Sequence, residues 1–420
     1  MPLFLYNIFI RLYPFIIRLI SPFNPKAKSW LQGRKNIFKN IASALNNDKS
    51  KKIWVHCASL GEFEQGRPVI EKLKADYPSY KIVLTFFSPS GYEVQKNYKS
   101  ADYIFYLPMD SRANAEKFFN LIQPSLAILV KYEYWYYYIS ACKKRNIPLL
   151  LVSGQFLKSY SFFKWYGSVN RQMLHLLTHL FVQTENARQL LSTINITNVS
   201  VSGDTRFDRV LEVSSHPKKF VLIDAFCKGH TVFVAGSTWT EDDELIDHFA
   251  NTRPKVKFII APHTIDEDRL QEAEKLYKNS ARFSLIRSAE YFEENKHINV
   301  LIIDSIGMLK HLYAYSTVCY VGGGFGGDGI HNILEAAVYG KPVLFGPENE
   351  KFNEAAELIE AGGAFEIADA VEFEELMNEL LTDEQLLKGA CKASAEYVAA
   401  HAGATQQVMQ YIHANRLLTN

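Results

Sequence analysis

The chain has 420 residues, enough for two or three domains of average size. Apolar residues make up 48% and charged residues 22%, an ordinary globular composition, and no low-complexity tract or fixed-period repeat is present. The net charge of +1 hides an asymmetry: residues 1–52 carry ten Lys or Arg and one acid, whereas the rest carries 36 basic and 44 acidic residues. A basic end on an acidic body indicates attraction to an anionic surface.

The first 22 residues, MPLFLYNIFIRLYPFIIRLISP, are apolar and aromatic, with Arg11 and Arg18 near one face of a helix. Because two charges and Pro14 interrupt the run, an amphipathic helix lying in a membrane interface fits better than one that crosses it. A helix packed on the protein itself is the alternative. The basic residues of 26–39 place the following stretch on the cytoplasmic side. Membrane is therefore favoured over nucleic acid as the anionic partner, and a cleaved signal peptide is not expected.

Short apolar runs alternate with helical patterns in two successive blocks, which predicts two Rossmann-like α/β domains facing a cleft. The first block has runs at 53–57, 81–86, 103–107, 126–130, 148–152, 179–183 and 199–203. A loose stretch is expected near 204–230. The second block has runs at 231–236, 257–261, 300–304, 317–323 and 342–346, before a helical end over about 370–416. The expected divisions are a membrane-associated segment 1–35, domains 36–212 and 213–395, and a C-terminal helix 396–420.

Ligands of such sheets bind beyond the carboxyl ends of the strands, so the residues that follow the apolar runs are the candidates for chemistry. Glu62 follows the first run and is a candidate general base, although with Ser59 it also forms the pattern of a capping box. Glu133 follows the fourth run, where an acid favoured by a helix N-terminus is the alternative. Arg206 follows the seventh run and could meet a phosphate or carboxylate, or be an ordinary surface residue.

A glycine-rich stretch, residues 322–329, lies between a late strand and a helix of the second block. Bare backbone and a helix N-terminus suit a phosphate. The formal G-x-G-x-x-G is weak as a dinucleotide fingerprint because it does not open the first βαβ unit, and no P-loop motif is present. Glu335, one turn further on, could bind a ribose or serve a structural role. No metal-ligand spacing occurs, and five cysteines without a C-x-x-C pair favour a reduced compartment.

Six segments, taken together and in order, resemble the 3-deoxy-D-manno-octulosonic acid (Kdo) transferase family. They are HCASLGE (56–62), EYW (133–135), GDTRFD (203–208), AGST (235–238), APH (261–263) and GIHNILEAAVYGKPVLFGP (329–347). The resemblance implies a GT-B fold and transfer of Kdo from CMP-Kdo to a lipid A precursor, lipid IVA, with inversion and without metal or cofactor. It also implies a place on the cytoplasmic face of the inner membrane, with no nucleic-acid partner.

The resemblance carries roles onto particular residues of this chain. Glu62 matches the catalytic base, and Glu133 and Arg206 match two positions that support the transition state. Three groups match CMP contacts: Pro262 with His263, Ile306 with Gly307 and Met308, and Asn332 with Ile333, Leu334 and Glu335. The chain departs from the family pattern at Arg206, which is usually Lys, at His263, where Arg is common, and at Lys131, which replaces an acid.

Two other functions remain open at this stage. One is a different GT-B enzyme, such as a UDP-sugar transferase or epimerase, which the order of the motifs disfavours. The other is an inactive GT-B scaffold at the membrane, which the presence of Glu62 disfavours.

Overall fold

A computed structural model describes residues 3–327 and 329–419. The chain forms two compact units: one comprises Met1–Arg209 with Ala402–Asn420, and the other Val210–His401. Each unit contains one seven-stranded sheet whose neighbouring strands are all parallel.

The first unit has the strand order β3-β2-β1-β4-β5-β6-β7, and the second has β10-β11-β9-β8-β12-β13-β14. The strands of the first unit are β1 Lys52–Cys57, β2 Lys81–Phe86, β3 Tyr103–Tyr106, β4 Pro124–Val130, β5 Leu149–Gly154, β6 His179–Val182 and β7 Val199–Val201. The strands of the second unit are β8 Thr231–Thr238, β9 Val256–Pro262, β10 Ser280–Arg282, β11 Val300–Ile302, β12 Val318–Val321, β13 Val343–Phe345 and β14 Ala364–Glu366.

Helices cover both sheets. Up to the middle of the chain they are α1 Leu3–Ile20, α2 Pro25–Arg34, α3 Ile37–Ala44, α4 Leu60–Asp76, α5 Pro89–Gln95, α6 Arg112–Ile122, α7 Tyr136–Lys144, α8 Ser168–His175, α9 Glu185–Ser192 and α10 Thr205–Ser215. The later helices are α11 Val221–Cys227, α12 Thr240–Thr252, α13 Glu267–Leu276, α14 Glu290–Glu294, α15 Leu309–Leu312, α16 Leu334–Ala337, α17 Asn353–Glu360, α18 Ala370–Thr382, α19 Glu384–Ala400 and α20 Ala404–Ala414. Three-residue 3₁₀ turns lie at Ser161–Phe163, Phe283–Leu285 and Tyr313–Tyr315.

The central strands are buried and mostly apolar because both of their faces are covered. In β1 the side chain of Trp54 belongs to the apolar cluster on one face of the sheet, and those of Ile53, Val55 and Cys57 belong to the cluster on the other. This alternation follows from the two-residue period of a strand. The apolar runs therefore predicted buried parallel strands, and the structure confirms them.

Some details differ from the expectation. The stretch near 204–230 was predicted to be loose, but it contains the helices α10 and α11. The helix expected after the glycines is only the single turn α16. The sequence also did not indicate β10 and β14, which are three-residue strands at the edges of the second sheet. The last helix, α20, returns to the first unit, where Asp208 accepts hydrogen bonds from the backbone of Gly403 and Thr405.

Candidate active site

Both sheets reverse their strand order at one point, and Glu62 and Glu133 lie at the reversal of the first sheet. In the first sheet the chain runs outward through β2 and β3 and then restarts at β4, on the other side of β1. In the second sheet the same reversal separates β8 from β12. A crevice opens beyond the carboxyl ends of strands where the order reverses, so ligands are expected there. Glu62 follows β1, and Glu133 follows β4.

Glu62 has the predicted capping role. Its Oε2 accepts hydrogen bonds from the backbone amides of Ala58, at 2.6 Å, and Ser59, at 3.1 Å. The Ser59 hydroxyl accepts in turn from the Glu62 amide at 3.5 Å, which completes the capping box of α4. Within the described part of the chain, the other carboxylate oxygen of Glu62 accepts no hydrogen bond from the protein. One oxygen therefore fixes the side chain and the other remains available for a ligand.

Burial is the main cause that raises the pKa of Glu62 to about 8, and the nearby negative charge of Glu133 is the second. The two amide hydrogen bonds and the positive charge of Lys131 act in the opposite direction. Lys131 adopts a left-handed backbone conformation, φ 62°, at the end of β4. A carboxyl group that changes its protonation state near neutral pH is suited to accept a proton during a reaction.

Glu133 is held by two ring N–H groups. Its Oε2 accepts from Nε2 of His56 at 2.8 Å and from Nε1 of Trp135 at 2.5 Å. On its other side, the His56 ring lies 2.8 Å from the hydroxyl of Thr85, which also accepts from Trp54 Nε1 at 2.8 Å. Nδ1 of His56 is also 3.0 Å from the carbonyl oxygen of Thr85, so the ring connects Thr85 with Glu133. This buried chain of hydrogen bonds fixes the orientation of the Glu133 carboxylate.

Arg206 lies in the first turn of α10, where its Nε donates to Oδ2 of Asp204 at 2.9 Å. Asp204 is itself buried and also accepts from Gln65 Nε2 at 2.9 Å. Gln65 belongs to α4, the helix that begins beside Glu62. Asp204 and Gln65 thus connect the Arg206 segment to the helix that carries Glu62. Among the described atoms, the Glu62 carboxylate and the Arg206 guanidinium make no direct contact.

In the second unit, the glycine-rich loop packs against the end of β8 through Asp242, a buried residue of α12. The carboxylate of Asp242 accepts hydrogen bonds from the Gly323 amide at 3.0 Å, from the Trp239 amide at 2.8 Å and from the Tyr320 hydroxyl at 2.5 Å. Gly323 has φ 94°, and a Cβ there would lie 2.6 Å from the carbonyl oxygen of Gly329. Glycine is therefore required for the fold of this loop.

His263 follows β9 and lies in a stack of three rings. Its imidazole is 4.6 Å from the ring of Trp239, at 26°, and 4.4 Å from that of His331, at 20°. Its backbone amide donates to the carbonyl of Thr238 at 2.9 Å, which ties the end of β9 to β8. Partial burial lowers the pKa of His263 below its ordinary value.

The other two candidate groups follow β11 and β12, on either side of β9 and β8. Ile306 is exposed, Gly307 has φ 86°, and Met308 is buried at the start of α15. Asn332 and Glu335 are within 3.4 Å of each other through Nδ2 and Oε1. Ile333 and Leu334 are buried in the core, so they can contact a ligand only through their backbone. The one-turn helix α16 also makes any contribution of a helix dipole small.

The candidate residues therefore fall into two separate groups, with Glu62, Glu133 and Arg206 in the first unit and the remainder in the second. Within residues 3–327 and 329–419, no three His, Cys, Asp or Glu side chains lie close enough together to hold a metal ion. Sequence reasoning missed His56, Asp242 and His331. His56 and His331 stand inside the quoted segments, whereas Asp242 is one of several acids in α12 and has no distinguishing signal.

Comparisons of the sequence with known proteins point to one family. A family profile described as 3-deoxy-D-manno-octulosonic-acid transferase (kdotransferase) matches residues 32–209. A 3-deoxy-D-manno-octulosonic acid transferase of Aquifex aeolicus is 30% identical over 343 residues, which are 80% of this chain and 88% of that protein. Another, of Haemophilus influenzae, is 26% identical over 412 residues, which are 94% and 93% of the two chains. The chain spans about half, 54%, of a bifunctional glycosyltransferase/methyltransferase of Fusobacterium nucleatum, with 28% identity.

Solved structures share the fold. A UDP-N-acetylglucosamine 2-epimerase aligns with a TM-score of 0.60 and 18% identity, over 89% of this chain and 98% of the other. The UDP-GlcNAc 2-epimerase of Neisseria meningitidis, bound to UDP-GlcNAc, aligns with a TM-score of 0.62 and 16% identity, over 86% and 100%. At such identities the similarity concerns architecture alone. It confirms the predicted GT-B type, with two Rossmann-like units and an apolar N-terminal helix.

Proposed function

The chain belongs to the Kdo transferase family, and on that premise we propose that it transfers Kdo from CMP-Kdo to a lipid A precursor, lipid IVA, with inversion of the anomeric centre. Among the observations, the Glu62 carboxyl supports this proposal most directly. It is buried beyond β1, it is oriented through one oxygen by two backbone amides, and its pKa is raised to about 8.

In this mechanism Glu62 is the general base. It takes the proton of the acceptor hydroxyl, whose oxygen then forms a bond to the anomeric carbon of Kdo. The bond from that carbon to the phosphate oxygen of CMP breaks, and CMP leaves with the electron pair. The donor is already activated, so the protein needs only to position both substrates, remove one proton and stabilise the charge that develops. Glu133 and Arg206 are assigned to that stabilisation.

We assign CMP to the second unit, to the ends of β9, β11 and β12. The rings of Trp239, His263 and His331 offer a flat, partly exposed surface, and the glycines offer backbone amides that a phosphate can approach. Glu335 is assigned to the ribose. Titration of the protein with CMP and with UDP in a calorimeter tests this donor class against the UDP-sugar alternative.

We also propose that α1 lies on the cytoplasmic face of the inner membrane. It is the one helix among the described residues that is long and apolar enough to span a membrane, judged by length and composition alone. However, Tyr6 and Ile10 are buried against the rest of the first unit, and the Tyr6 hydroxyl donates a hydrogen bond to Asp110. The opposite face exposes Phe4, Leu5, Ile8, Phe9, Leu12, Phe15, Ile16, Leu19 and Ile20. A helix docked on one face and apolar on the other suits an interfacial position.

Transfer assays with CMP-Kdo and lipid IVA test the catalytic role of Glu62. Glu62→Gln keeps the capping box but cannot accept a proton, so we expect turnover to fall by about 10²–10⁴-fold. Glu64→Gln, two residues along the same helix, is the matched control and should retain activity. Transfer by Glu62→Gln at the wild-type rate would exclude Glu62 as the base, and absence of transfer by the wild-type protein would support the inactive-scaffold alternative.

A further inference from the structure

A second aromatic and basic surface lies on the first unit, in the loop of residues 155–167 that follows β5. Trp165 is 91% exposed, and Leu157 and Tyr166 are also exposed. Lys158 is exposed and Lys164 is partly exposed beside them. Tryptophan is on average one of the most buried residue types, so a nearly bare indole next to further apolar and basic side chains indicates a binding surface.

The loop presents these side chains from a rigid base. Phe156 and Phe162 are buried, and the Phe162 ring lies 4.8 Å from that of Tyr134. Arg171 of α8 donates to the carbonyls of Phe162, at 3.0 Å, and Lys164, at 2.8 Å. Gly167 closes the loop where a Cβ would lie 1.7 Å from the carbonyl oxygen of Ser161. The exposure of Trp165 therefore belongs to a loop fixed by packing and hydrogen bonds.

The loop itself carries charge of one sign, because residues 155–167 contain Lys158 and Lys164 and no Asp or Glu. This stretch is thus a second positive segment, separate in sequence from residues 1–52. Positive charge combined with Trp, Tyr and Leu complements an anionic bilayer, because indole and phenol rings favour the interface and each nearby lysine adds attraction to acidic headgroups.

The position of the loop in the sheet gives it a functional meaning. Helix α1 packs beyond the ends of β2 and β3, through the rings of Tyr13 and Phe87, 5.8 Å apart, and the bond from Tyr6 to Asp110. It also contacts the start of α7, through the bonds from the Tyr136 amide to Tyr6 and from the Tyr137 hydroxyl to Asn7. The next strands in the sheet order, β1 and β4, are followed by Glu62 and Glu133, and then comes β5 with the loop. In the strand order, the two carboxylates therefore lie between the ends of β2 and β3, where α1 packs, and the loop after β5.

We propose that the loop of residues 155–167 is a second contact with an anionic lipid surface, so that the carboxylate edge of the first unit faces the bilayer between two contacts. This inference rests on the proposed membrane contact of α1 and extends it. An acceptor lipid anchored in the bilayer then approaches the Glu62 edge from between α1 and the loop.

Quenching of Trp165 fluorescence by lipid tests the proposal with the full chain and no acceptor present. The vesicles contain phosphatidylethanolamine and phosphatidylglycerol with brominated acyl chains. Subtracting the signal of Trp165→Phe from that of the wild-type protein isolates Trp165 from the other four tryptophans. We expect vesicles to shift the Trp165 emission to shorter wavelength, to quench it through bromine and to protect it from iodide in the water.

Vesicle affinity gives an independent readout. Replacing Lys158 and Lys164 by Gln should weaken vesicle binding by about fivefold per lysine, because each lysine near an anionic surface contributes about 1 kcal/mol of attraction. Lys275→Gln with Lys278→Gln in the second unit removes the same charge from exposed positions and should leave binding unchanged. Leu285 is also exposed in the second unit, so Leu285→Ser is the apolar control for Trp165→Ser. Unfolding curves check that each variant folds.

The outcomes separate this inference from the proposals on which it rests. If the wild-type protein binds vesicles while Trp165 stays open to iodide, the α1 contact holds and the loop contact is wrong. Protection of Trp165 only after lipid IVA is added would assign the loop to the acceptor instead of the surface. Protection without lipid, increasing with protein concentration, would assign it to a second copy of the chain. If the wild-type protein binds no vesicles, both membrane proposals fail, while transfer to detergent-dispersed acceptor would still report on catalysis.

Discussion

At the end of β1, the carboxyl group of Glu62 combines a structural task with a proposed chemical one. Its Oε2 caps α4, so the side chain is fixed before any substrate arrives. The sequence could predict this capping box, because it depends on residues three positions apart. It could not predict the raised pKa, which depends on burial and on Glu133, 71 positions further along the chain.

The raised pKa of Glu62 predicts a pH dependence of transfer. A base must be ionised, so kcat/KM should rise as the pH increases through about 8, the pKa of Glu62 in the free protein. We expect a rise of about tenfold per pH unit below that value, measured with CMP-Kdo and lipid IVA between pH 6 and 10. Glu64→Gln should show the same profile, and a flat profile from pH 6.5 to 9 would contradict ionisation of Glu62 as the controlling step.

The raised pKa of Glu62 also predicts how the free energy of unfolding changes with pH. The folded pKa of Glu62 lies above the value of about 4.3 for an unfolded chain, so the folded state loses stability as the pH rises from about 4 through about 8. Glu62→Gln has no charge to bury. Urea unfolding should find this variant more stable than the wild type at pH 9, by up to about 5 kcal/mol, and equal to it at pH 4.

At the scale of elements, agreement between sequence and structure depends on how much local pattern an element carries. The long buried strands such as β4 and β9 were predicted because their apolar runs reflect cover on both faces. The three-residue edge strands β10 and β14 carry no such pattern, since SAR and AFE are too short for alternation. The error near 204–230 has another cause. Asp208 of α10 accepts hydrogen bonds from residues nearly 200 positions away, at the start of α20, and the local sequence does not encode such a contact.

The docking of α1 leads to a prediction about one hydroxyl group. Asp110 is buried, burial raises its pKa to about 6, and it accepts hydrogen bonds from the Tyr6 hydroxyl and from two amides at the start of α7. Tyr6→Phe removes the hydroxyl and should lower the free energy of unfolding by about 1–3 kcal/mol in urea. Tyr13→Phe is the control, because Tyr13 packs on Trp30 and Phe87 through its ring. Equal stability of the two variants would show that the Tyr6 hydroxyl adds nothing to the docking of α1.

At the scale of the whole molecule, the sequence indicated two successive α/β blocks because each block repeats the same alternation of strands and helices. It did not indicate that the chain returns to the first unit at its end. The residues from Ala402 on were expected only to be helical, and their destination is set by long-range contacts. Thr419 exchanges hydrogen bonds with the hydroxyl of Tyr80, and the side chains of Val408 and Ile412 are fully buried in the first unit's core.

This return predicts that the two units respond differently when the end of the chain is removed. Deleting residues 402–420 uncovers the apolar surface under Val408, Met409 and Ile412 and leaves Asp208 without two amide partners. Burial of each such side chain contributes about 1.5–3 kcal/mol, so the loss approaches the 5–15 kcal/mol that typically stabilises a domain. The first unit should therefore unfold at lower temperature or not fold, whereas the second unit keeps its core and its proposed CMP site. Calorimetric melting should resolve one transition at a lowered temperature and one at an unchanged temperature, and CMP should still raise the temperature of the second.

Asp208→Asn in the full chain is the milder variant and should lower the temperature of the first transition by only a few degrees. A single transition lowered as a whole would mean that the two units unfold together, and unchanged melting would mean that α20 adds little to the core it covers.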